Sequence, residues 1–206
     1  MTTNRCRQDE DVTVKDFRVH HCERKEVRDF IEKWHYSQSI NGVMTTHCFG
    51  MLHGRELIGA MLYGRLGMAN TWRKYVDAEH KILELRRLCC IDDTPKNTES
   101  YFIGKTLKWL QKNTEVERVV SYADMDHNHE GIIYKASNFD YLGTTSKGRR
   151  IKHGDRIYHD KAIRTKYNGK LKPFAQRLKT ALEEGEAHYI ESMGKHIYVY
   201  DIRRKS

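Results

Sequence analysis

The sequence predicts a mixed α/β fold, in which a layer of strands begins with a hairpin and continues with crossover helices. Strand-like and helix-like segments alternate along the chain, and its 206 residues suffice for one full core. Hydrophobic residues make up 38% and charged residues 32% of the chain, a composition typical of a polar globular protein. No apolar run approaches the roughly 18–20 residues that a membrane-spanning helix needs.

The first half of the chain predicts one helix among strands. Val27, Phe30, Ile31 and Trp34 recur at helical spacing and form one apolar stripe. The other predicted elements are a strand over 16–22, a loop over 37–45, a hairpin around 53–55, a polar helical insertion over 68–81 and a strand over 82–91.

The second half repeats the alternation of helices and strands. Ile103, Leu107 and Leu110 share one face of a helix that follows the turn DDTPKN. The other predicted elements are strands over 117–125, 139–145, 155–163 and 196–202, a short helix over 129–138 and a helix over 172–185.

The positive charge of the chain is concentrated in one stretch. The net charge is +9, and residues 144–173 contain ten Lys or Arg and two Asp, a net +8. A localised excess is the footprint of a protein that binds a polyanion. Nucleic acid is therefore the expected partner, and a solvated basic face is the alternative. The densest predicted DNA contacts are Arg149, Arg150, Lys152 and Arg156.

The cysteines and the N-terminus predict a cytoplasmic protein without a membrane partner. Five cysteines, with no CxxC pair, argue for reduced thiols and against a disulfide framework or a structural zinc site. The segment MTTNRCRQDEDVTV lacks the apolar core of a signal peptide. Cys89 and Cys90, on a predicted strand, are expected to be small buried hydrophobes, with a nucleophile paired to His35 as the alternative.

Residues 118–143, RVVSYADMDHNHEGIIYKASNFDYLG, place polar residues at a strand end, before a short helix that carries Tyr134. This plan resembles the acceptor side of the GNAT acyltransferases, where a LYxxxGF helix follows the fifth strand. Here the helix reads IIYKASNF, with Asn138 in place of the usual glycine. The resemblance implies a GNAT-like mixed, mostly antiparallel central sheet flanked by helices, with a basic C-terminal extension.

A second resemblance runs from residue 27 to residue 160. The blocks WHYS, GAMLYGRL, LRRLCCIDDTPKNTESYFIGKTLKWL, and SYAD followed by IYKASNFDYLG occur in the right order. Together they resemble the phage Mom proteins, GNAT-like enzymes that modify adenine in DNA. The resemblance implies a single GNAT-like domain over 1–206, with a core over 14–160 and a basic extension over 144–206. If a phage encodes the protein, its location is the host cytoplasm.

The resemblance also implies the reaction. A carbamoylmethyl (acetamido-like) group would be added to the N6 amine of adenine, which protects the DNA from host restriction. An acyl-CoA such as acetyl-CoA is the expected donor, but acetyl transfer does not give this adduct directly, so the donor and the number of steps stay open. The substrate would be double-stranded DNA with a flipped adenine. A two-fold dimer is common for such enzymes. Two alternatives remain open: a conventional acetyltransferase that acts on a small amine or a protein, and a non-catalytic DNA-binding, anti-host protein.

Four residues are the candidate catalytic groups. His35 and Tyr36 follow the first helix; alone they would indicate a C-terminal helix histidine and a packed tyrosine. Because WHYS matches the Mom block, the resemblance implies a base or ligand at the acceptor site. Asp124 ends a strand, where open α/β sheets place ligands, and is a candidate base; a turn or capping aspartate is the alternative. Tyr134 is the candidate general acid, with core packing as the alternative.

The candidate cofactor residues lie before and within the second predicted helix. GNAT proteins cradle the CoA pyrophosphate with a glycine-rich turn, whereas DDTPKNTESYFIG has no glycine before Gly104. The N–H groups of a helix N-terminus still suit an anion. The candidates at this turn are Lys96, Asn97, Thr98 and Ser100.

Two arginines lie inside an otherwise apolar strand, where an unpaired guanidinium is costly. Arg87 matches the family block and is a further candidate for a phosphate or cofactor contact. Arg86 is expected to form an internal ion pair, for example with Glu84.

A metal site is a further alternative. His127 and His129 are two residues apart and would not share a helix face, and Asn128 is a natural N-cap for the Tyr134 helix. His35, Asp124 and one of these two histidines could together hold a metal, since imidazole and carboxylate ligands suit iron or zinc. The resemblance to the phage Mom proteins implies iron.

Overall fold

The computed structural model of the chain describes residues 12–203. The expectations for Cys6 and for most of the N-terminal segment fall outside these residues. Within them, no helix is long and apolar enough to cross a membrane.

The described chain contains four α-helices and twelve strands, which we number in chain order. The helices are α1 (Arg24–Trp34), α2 (Thr98–Asn113), α3 (Ile132–Ala136) and α4 (Pro173–Glu183). The strands are β1 (Phe17–Cys22), β2 (His47–His53), β3 (Glu56–Gly64), β4 (Ile82–Cys90), β5 (Arg118–Asp124), β6 (Asp140–Thr144), β7 (Gly148–His153), β8 (Arg156–His159), β9 (Lys166–Tyr167), β10 (Lys170–Leu171), β11 (Ala187–Ser192) and β12 (Lys195–Asp201).

The main sheet has seven strands in the order β1-β2-β3-β4-β5-β12-β6. Strands β1 to β4 pair antiparallel with their neighbours, and β4 pairs parallel with β5. Helix α2 connects β4 to β5, as a parallel pair requires. The predicted mixed, mostly antiparallel sheet is therefore confirmed.

The chain divides into two compact units. The first comprises the residues through Tyr122, Gly131–Leu142 and the residues from Tyr198 onward. In it, Val27 and Ile31 of α1 pack with Cys48, Ala60 and Leu62 of β2 and β3. The predicted stripe of α2 is also confirmed, because Ile103, Leu107 and Leu110 are all buried, whereas Trp34 at the end of α1 is exposed.

The second unit comprises Ala123–Glu130 and Gly143–Ile197. Strand β7 lies between β11 and β8 in a three-stranded antiparallel sheet. Helix α4 covers one face of this sheet, where Ile151 packs with Leu178, Ala181 and Ala187. The basic stretch is therefore largely a folded sheet with its own small core.

Three sequence predictions differ from the structure. The insertion over 68–81 forms short 3-10 helices at Thr71–Lys74 and Glu79–Lys81 instead of an α-helix. The predicted strand over 155–163 is only β8, followed by a 3-10 helix at Asp160–Arg164. Strands β7 and β11 were not predicted, because each has polar or aromatic residues at most positions and a weak apolar alternation.

Asn128 does not cap the Tyr134 helix. It has a φ of 56° and ends the 3-10 helix Met125–His127, and the N-cap of α3 is Gly131. Gly131 has a φ of 70°, and a Cβ there would collide with the ring of Tyr198. Only glycine satisfies both conditions, because side chains disfavour positive φ.

Candidate functional site

The main sheet opens where β4 and β5 stop pairing. Their parallel pairing joins Ile82–Leu85 to Arg118–Ser121, and β4 then continues to Cys90. On its other edge, β4 has a bulge: Leu62 pairs with Arg87 and Tyr63 with Leu85, which leaves Arg86 as the extra residue. Bulges bend a strand and are common beside active sites. Polar side chains on these segments therefore border a gap in the sheet.

Tyr134 is one of the buried tyrosines of the first unit, with 9% of its surface exposed. Helix α3 places it among Phe139 and Tyr198, with ring centroids 5.6 and 5.4 Å away. Burial raises the pKa of Tyr134 to about 12, and a hydrogen bond with Ser121 opposes that rise only in part. The phenol is therefore protonated at neutral pH and can donate a proton.

His35 and Tyr36 lie in the turn after α1. Nδ1 of His35 accepts a hydrogen bond from the Ser37 N–H at 3.1 Å and lies 2.8 Å from the Ser37 hydroxyl oxygen. The neutral ring then carries its proton on Nε2, which makes Nε2 a donor. The Tyr36 ring lies 4.3 Å from the His35 ring and is 52% exposed, while His35 is buried.

Two arginines hold the loop that follows Tyr36. Arg24 donates from its two terminal nitrogens to the carbonyl oxygens of Ile40 and Val43, each at 2.6 Å. Arg87 donates from Nε to the Ser39 carbonyl oxygen at 3.4 Å and from Nη1 to its neighbour's carbonyl oxygen. The contacts of Arg87 thus lie within the protein. Sequence reasoning missed Arg24, because it stands in a charged run, ERKEVRD, without a motif.

In the first unit, the charge of one polar side chain affects the pKa of two others. The ionisation of Tyr36 would raise the pKa of both Tyr134 and Arg87, which places these three side chains close together. Burial is the main influence on Arg87 and lowers its pKa. Arg86 forms the predicted ion pair with Glu84 at 3.0 Å. His35, Tyr36, Arg87 and Tyr134 all belong to the first unit.

Asp124 belongs to the second unit and is 6% exposed. Its two oxygens accept hydrogen bonds from Nη2 of Arg150 at 3.1 and 2.9 Å, and Nζ of Lys195 lies 3.6 Å away. It also accepts from the Asp126 N–H at 3.1 Å, as a capping aspartate does. These contacts make Asp124 an anchor for the basic strand β7. Its role as a base stays a prediction.

Asp126 completes this ion-pair cluster. Its carboxylate lies 2.8 Å from Nη2 of Arg150 and accepts from the Ser192 hydroxyl and the Met193 N–H. Burial acts to raise its pKa, but these hydrogen bonds and Arg150 outweigh burial and hold the pKa below its usual value. Arg150 is thus engaged by two carboxylates, with 21% of its side chain exposed, and its DNA contact stays a prediction.

The other predicted DNA-binding residues of the basic stretch are exposed. Arg149 lies over the Tyr189 ring at 4.1 Å, and both Lys152 and Arg156 are exposed at their positions on β7 and β8. Exposed cations on a folded sheet are suited to phosphate contacts.

The predicted cofactor residues surround the start of α2. Asn97 is its N-cap, with a φ of 71° and no side-chain capping bond. The Ser100 hydroxyl donates to the Asn97 carbonyl oxygen, whereas the Thr98 hydroxyl is buried and donates to Pro95. A cavity of about 450 Å³ begins here and is lined by Asn97, Ser100 and, on the α3 side, Asn138. Lys96 is exposed and Thr98 is buried, and neither lines this cavity.

The structure does not support an iron site. Across residues 12–203 no three His, Cys, Asp or Glu side chains are grouped so that they could hold a metal ion. The rings of His127 and His129 are 6.0 Å apart.

The thiols of Cys89 and Cys90 are suited to a structural role. Burial raises the pKa of Cys89 to about 12 and raises the pKa of Cys90 further.

The sequence model of the Mom protein family matches residues 16–206 of this chain. This chain belongs to the Mom protein family. The methylcarbamoylase Mom of Escherichia phage Mu is 34% identical to it over 120 residues, which is 57% of this chain. The match spans about half of the phage Mu protein, 49% of its length.

Solved structures with a similar fold are acetyltransferases. An acetyltransferase of Bacillus subtilis in complex with CoA has a TM-score of 0.51 and 12% identity, over 90% of the Mom-family chain and 98% of its own. NAA60 of Arabidopsis thaliana in complex with acetyl-CoA has a TM-score of 0.51 and 13% identity, over 91% and 99%. At these identities the likeness shows the fold alone, and it confirms the predicted GNAT-like fold.

Proposed function

We propose that this chain transfers an acyl-derived, carbamoylmethyl (acetamido-like) group to the N6 amine of adenine in double-stranded DNA. Such an adduct would protect the DNA from host restriction. The observation that carries the proposal is the family match over residues 16–206. The GNAT-like fold and the arrangement around Tyr134 support it.

Reaction at the adenine amine requires that the base be flipped out and that it be oriented, and residues of the first unit are suited to both. The lone pair of the adenine amine is delocalised into the ring, and in a duplex the amine is paired, so the base must be flipped out and oriented. Tyr36 offers an exposed ring, fixed by the neighbouring His35, on which a flipped base can stack. Arg24 and Arg87 hold the adjoining loop in place.

Two residues are assigned to proton transfer and a third to orientation of the acceptor. The Tyr134 hydroxyl, protonated because its pKa is about 12, donates a proton to the leaving group. Nε2 of His35 donates a hydrogen bond that orients the acceptor. Asp124 is the candidate acceptor of the amine proton, a role that the Asp124→Asn variant addresses.

The proposed donor is an acyl-CoA thioester, which supplies an activated acyl carbon when bound. The residues at the start of α2 fit such a group: Asn97 and Ser100 line a cavity of about 450 Å³, and the N-cap makes no side-chain capping bond. Exposed N–H groups at a helix start favour phosphate oxygens. Acetyl transfer bonds N6 to a carbonyl carbon, whereas a carbamoylmethyl group is bonded through its CH2 carbon and contains an amide nitrogen. The adduct therefore requires a further chemical step and a nitrogen donor besides acetyl-CoA.

The DNA backbone is assigned to the basic sheet of the second unit. Arg149, Lys152 and Arg156 are exposed there and can neutralise phosphates. Arg150 is assigned instead to holding Asp124 and Asp126.

The decisive experiment is mass spectrometry of nucleosides from the DNA of cells that express the protein. We expect a new deoxyadenosine adduct with the wild-type chain and its loss in Asp124→Asn and Tyr36→Ala variants that remain folded. Arg28→Ala, a change on the exposed face of α1, is the matched control and should keep the adduct. An unmodified nucleoside profile with the wild-type chain would reject the proposal.

A conventional acetyltransferase is the second candidate, favoured by the fold that this chain has in common with CoA-bound acetyltransferases. It predicts turnover of acetyl-CoA with a polyamine or peptide and no adduct on DNA. A purely DNA-binding protein predicts strong, salt-sensitive binding to DNA without any mass change.

A further inference from the structure

A second cavity, of about 360 Å³, lies along the edge strand β1 beside α2. None of the residues assigned to the proposed function lines it. Tyr101, Lys105 and Trp109 recur every four residues on α2 and present one helix face to the cavity. The Tyr101 hydroxyl donates to the Phe17 carbonyl oxygen at 3.2 Å, which fixes α2 against β1.

One wall of the cavity is a preformed aromatic stack. The rings of His21 and Trp109 lie parallel, with centroids 4.4 Å apart and planes at 9°. The Phe49 ring meets the indole edge-on at 5.2 Å and 77°. Burial, and then the charge of His20, lower the pKa of His21, so the stacked imidazole is neutral at neutral pH. The wall is therefore rigid, flat and uncharged.

The rim of the same cavity is cationic. Lys15, Arg18 and Lys105 all line it, all are exposed, and no Asp or Glu is among the described residues that line it. The three cations form no ion pair with a carboxylate in residues 12–203. The neighbouring acid, Asp16, is engaged by the Thr13 N–H and hydroxyl at 2.8 and 2.9 Å. The positive charge is thus not balanced locally.

We propose that this cavity binds a nucleotide, with its phosphate held by Lys15, Arg18 and Lys105 and its base against the His21–Trp109 wall. A simple anion would account for the cations alone, and an apolar ligand for the aromatic wall alone. A nucleotide accounts for both, because phosphates attract cations and every base has a face that stacks on aromatic rings. The proposal is independent of DNA modification, since it concerns binding only.

The fluorescence of Trp109 can be used to measure ligand binding in this cavity. The chain has three tryptophans, so Trp34→Phe with Trp72→Phe leaves Trp109 as the single fluorophore. We expect AMP, and separately a short single-stranded oligonucleotide, to quench Trp109 emission in a saturable way. Tighter quenching by AMP would identify a free nucleotide as the ligand, and tighter quenching by the oligonucleotide would identify a nucleotide of a DNA strand.

Charge reversal tests the rim. Lys15→Glu with Lys105→Glu should weaken the quenching affinity by about tenfold or more, because two phosphate contacts become repulsive. Lys112→Glu, a reversal on the same helix outside the cavity, should change the affinity by less than about threefold, since salt screens a more distant charge. His21→Ala should reduce the quenching affinity while it leaves the circular dichroism spectrum unchanged.

Two results would overturn the proposal. One is the absence of saturable quenching by both ligands in a folded protein. The other is an equal loss of affinity in the Lys112→Glu control, which would show a general field effect and no site.

Discussion

The polar partners of the buried side chains Tyr134 and Asp124 decide the chemical role of each. Tyr134 is surrounded by aromatic rings and has a hydrogen bond with Ser121, so burial dominates and the phenol keeps its proton. Asp124 is equally buried but accepts from Arg150 and lies near Lys195. At the scale of single residues, we therefore assign Tyr134 to proton donation and Arg150 to anchoring.

Tyr134→Phe removes the phenolic proton and keeps the ring. We expect DNA modification to fall by about 100-fold or more, in line with the loss of a general acid. Tyr141→Phe, on the exposed neighbour in β6, is the control and should retain activity. The measurement is the yield of modified deoxyadenosine per cell; equal yields in both variants would remove Tyr134 from the mechanism.

Arg150→Ala leaves the carboxylates of Asp124 and Asp126 without their guanidinium. We expect the free energy of unfolding to drop by about 2–3 kcal/mol, less than for a fully buried pair because 21% of the Arg150 side chain is exposed. Arg156→Ala, at an exposed site, should change it by less than about 0.5 kcal/mol. Urea unfolding measures both; a stable Arg150→Ala protein would show that the ion pairs are dispensable.

Loops and strands in this molecule are positioned by contacts from other elements. The loop between α1 and β2 buries Ile40 and Val43 in the core of the first unit and is also held by Arg24 from α1 and Arg87 from β4. On the other side of the sheet, α2 holds β1 and β2 through the rings of His21, His47 and Trp109. Both arrangements depend on a few long side chains that can be changed individually.

Arg24→Lys keeps the charge but loses the fork that reaches two carbonyl oxygens. Because a lysine presents one point charge, we expect the loop over 37–45 to open more often and to be cleaved roughly threefold faster in limited proteolysis. Arg28→Lys on the same helix is the control, since Arg28 pairs with the exposed Asp29. Equal cleavage rates would mean that Arg24 does not hold the loop.

The histidine pair predicts a pH-dependent stability. Burial is the main cause that lowers the pKa of both His21 and His47 below the ordinary histidine value of about 6.5. As pH falls through 6.5, the unfolded chain takes up protons that the folded chain resists, so the free energy of unfolding decreases.

The measurement is the urea midpoint at about pH 7.5 and 5.5, on either side of the unfolded histidine pKa. His47→Gln should lessen the decrease, and His188→Gln, on an exposed position of β11, should leave it unchanged. A decrease that is the same in all three proteins would assign the effect to other groups.

Across the whole molecule, the excess positive charge is concentrated in one stretch of the sequence. Ten Lys or Arg and two Asp lie in residues 144–173, most of which belong to the small sheet and its flanking segments. The same stretch contributes one arginine, Arg150, to an internal cluster. The predicted single domain over 1–206 stays a prediction.

DNA binding should depend steeply on salt. With three phosphate contacts, from Arg149, Lys152 and Arg156, we expect affinity to fall roughly 40-fold between 50 and 200 mM salt. Changing all three to Ala should reduce the slope of log affinity against log salt by about three. The matched control is the α1 triple Lys25→Ala, Arg28→Ala and Lys33→Ala, which should leave the slope unchanged; a loss in the control instead would place the interface on α1.

The sequence by itself determined the local elements and the chemical groups. Apolar spacing identified α1, α2 and α4, and the WHYS, SYAD and IYKASNF segments supplied the candidate residues, because helix periodicity and motif order are local properties. Only the tertiary structure decided that β12 lies between β5 and β6, that Arg86 forms a bulge and that Arg150 binds Asp124 and Asp126. These features arise from contacts between residues far apart in the chain, which local patterns do not encode.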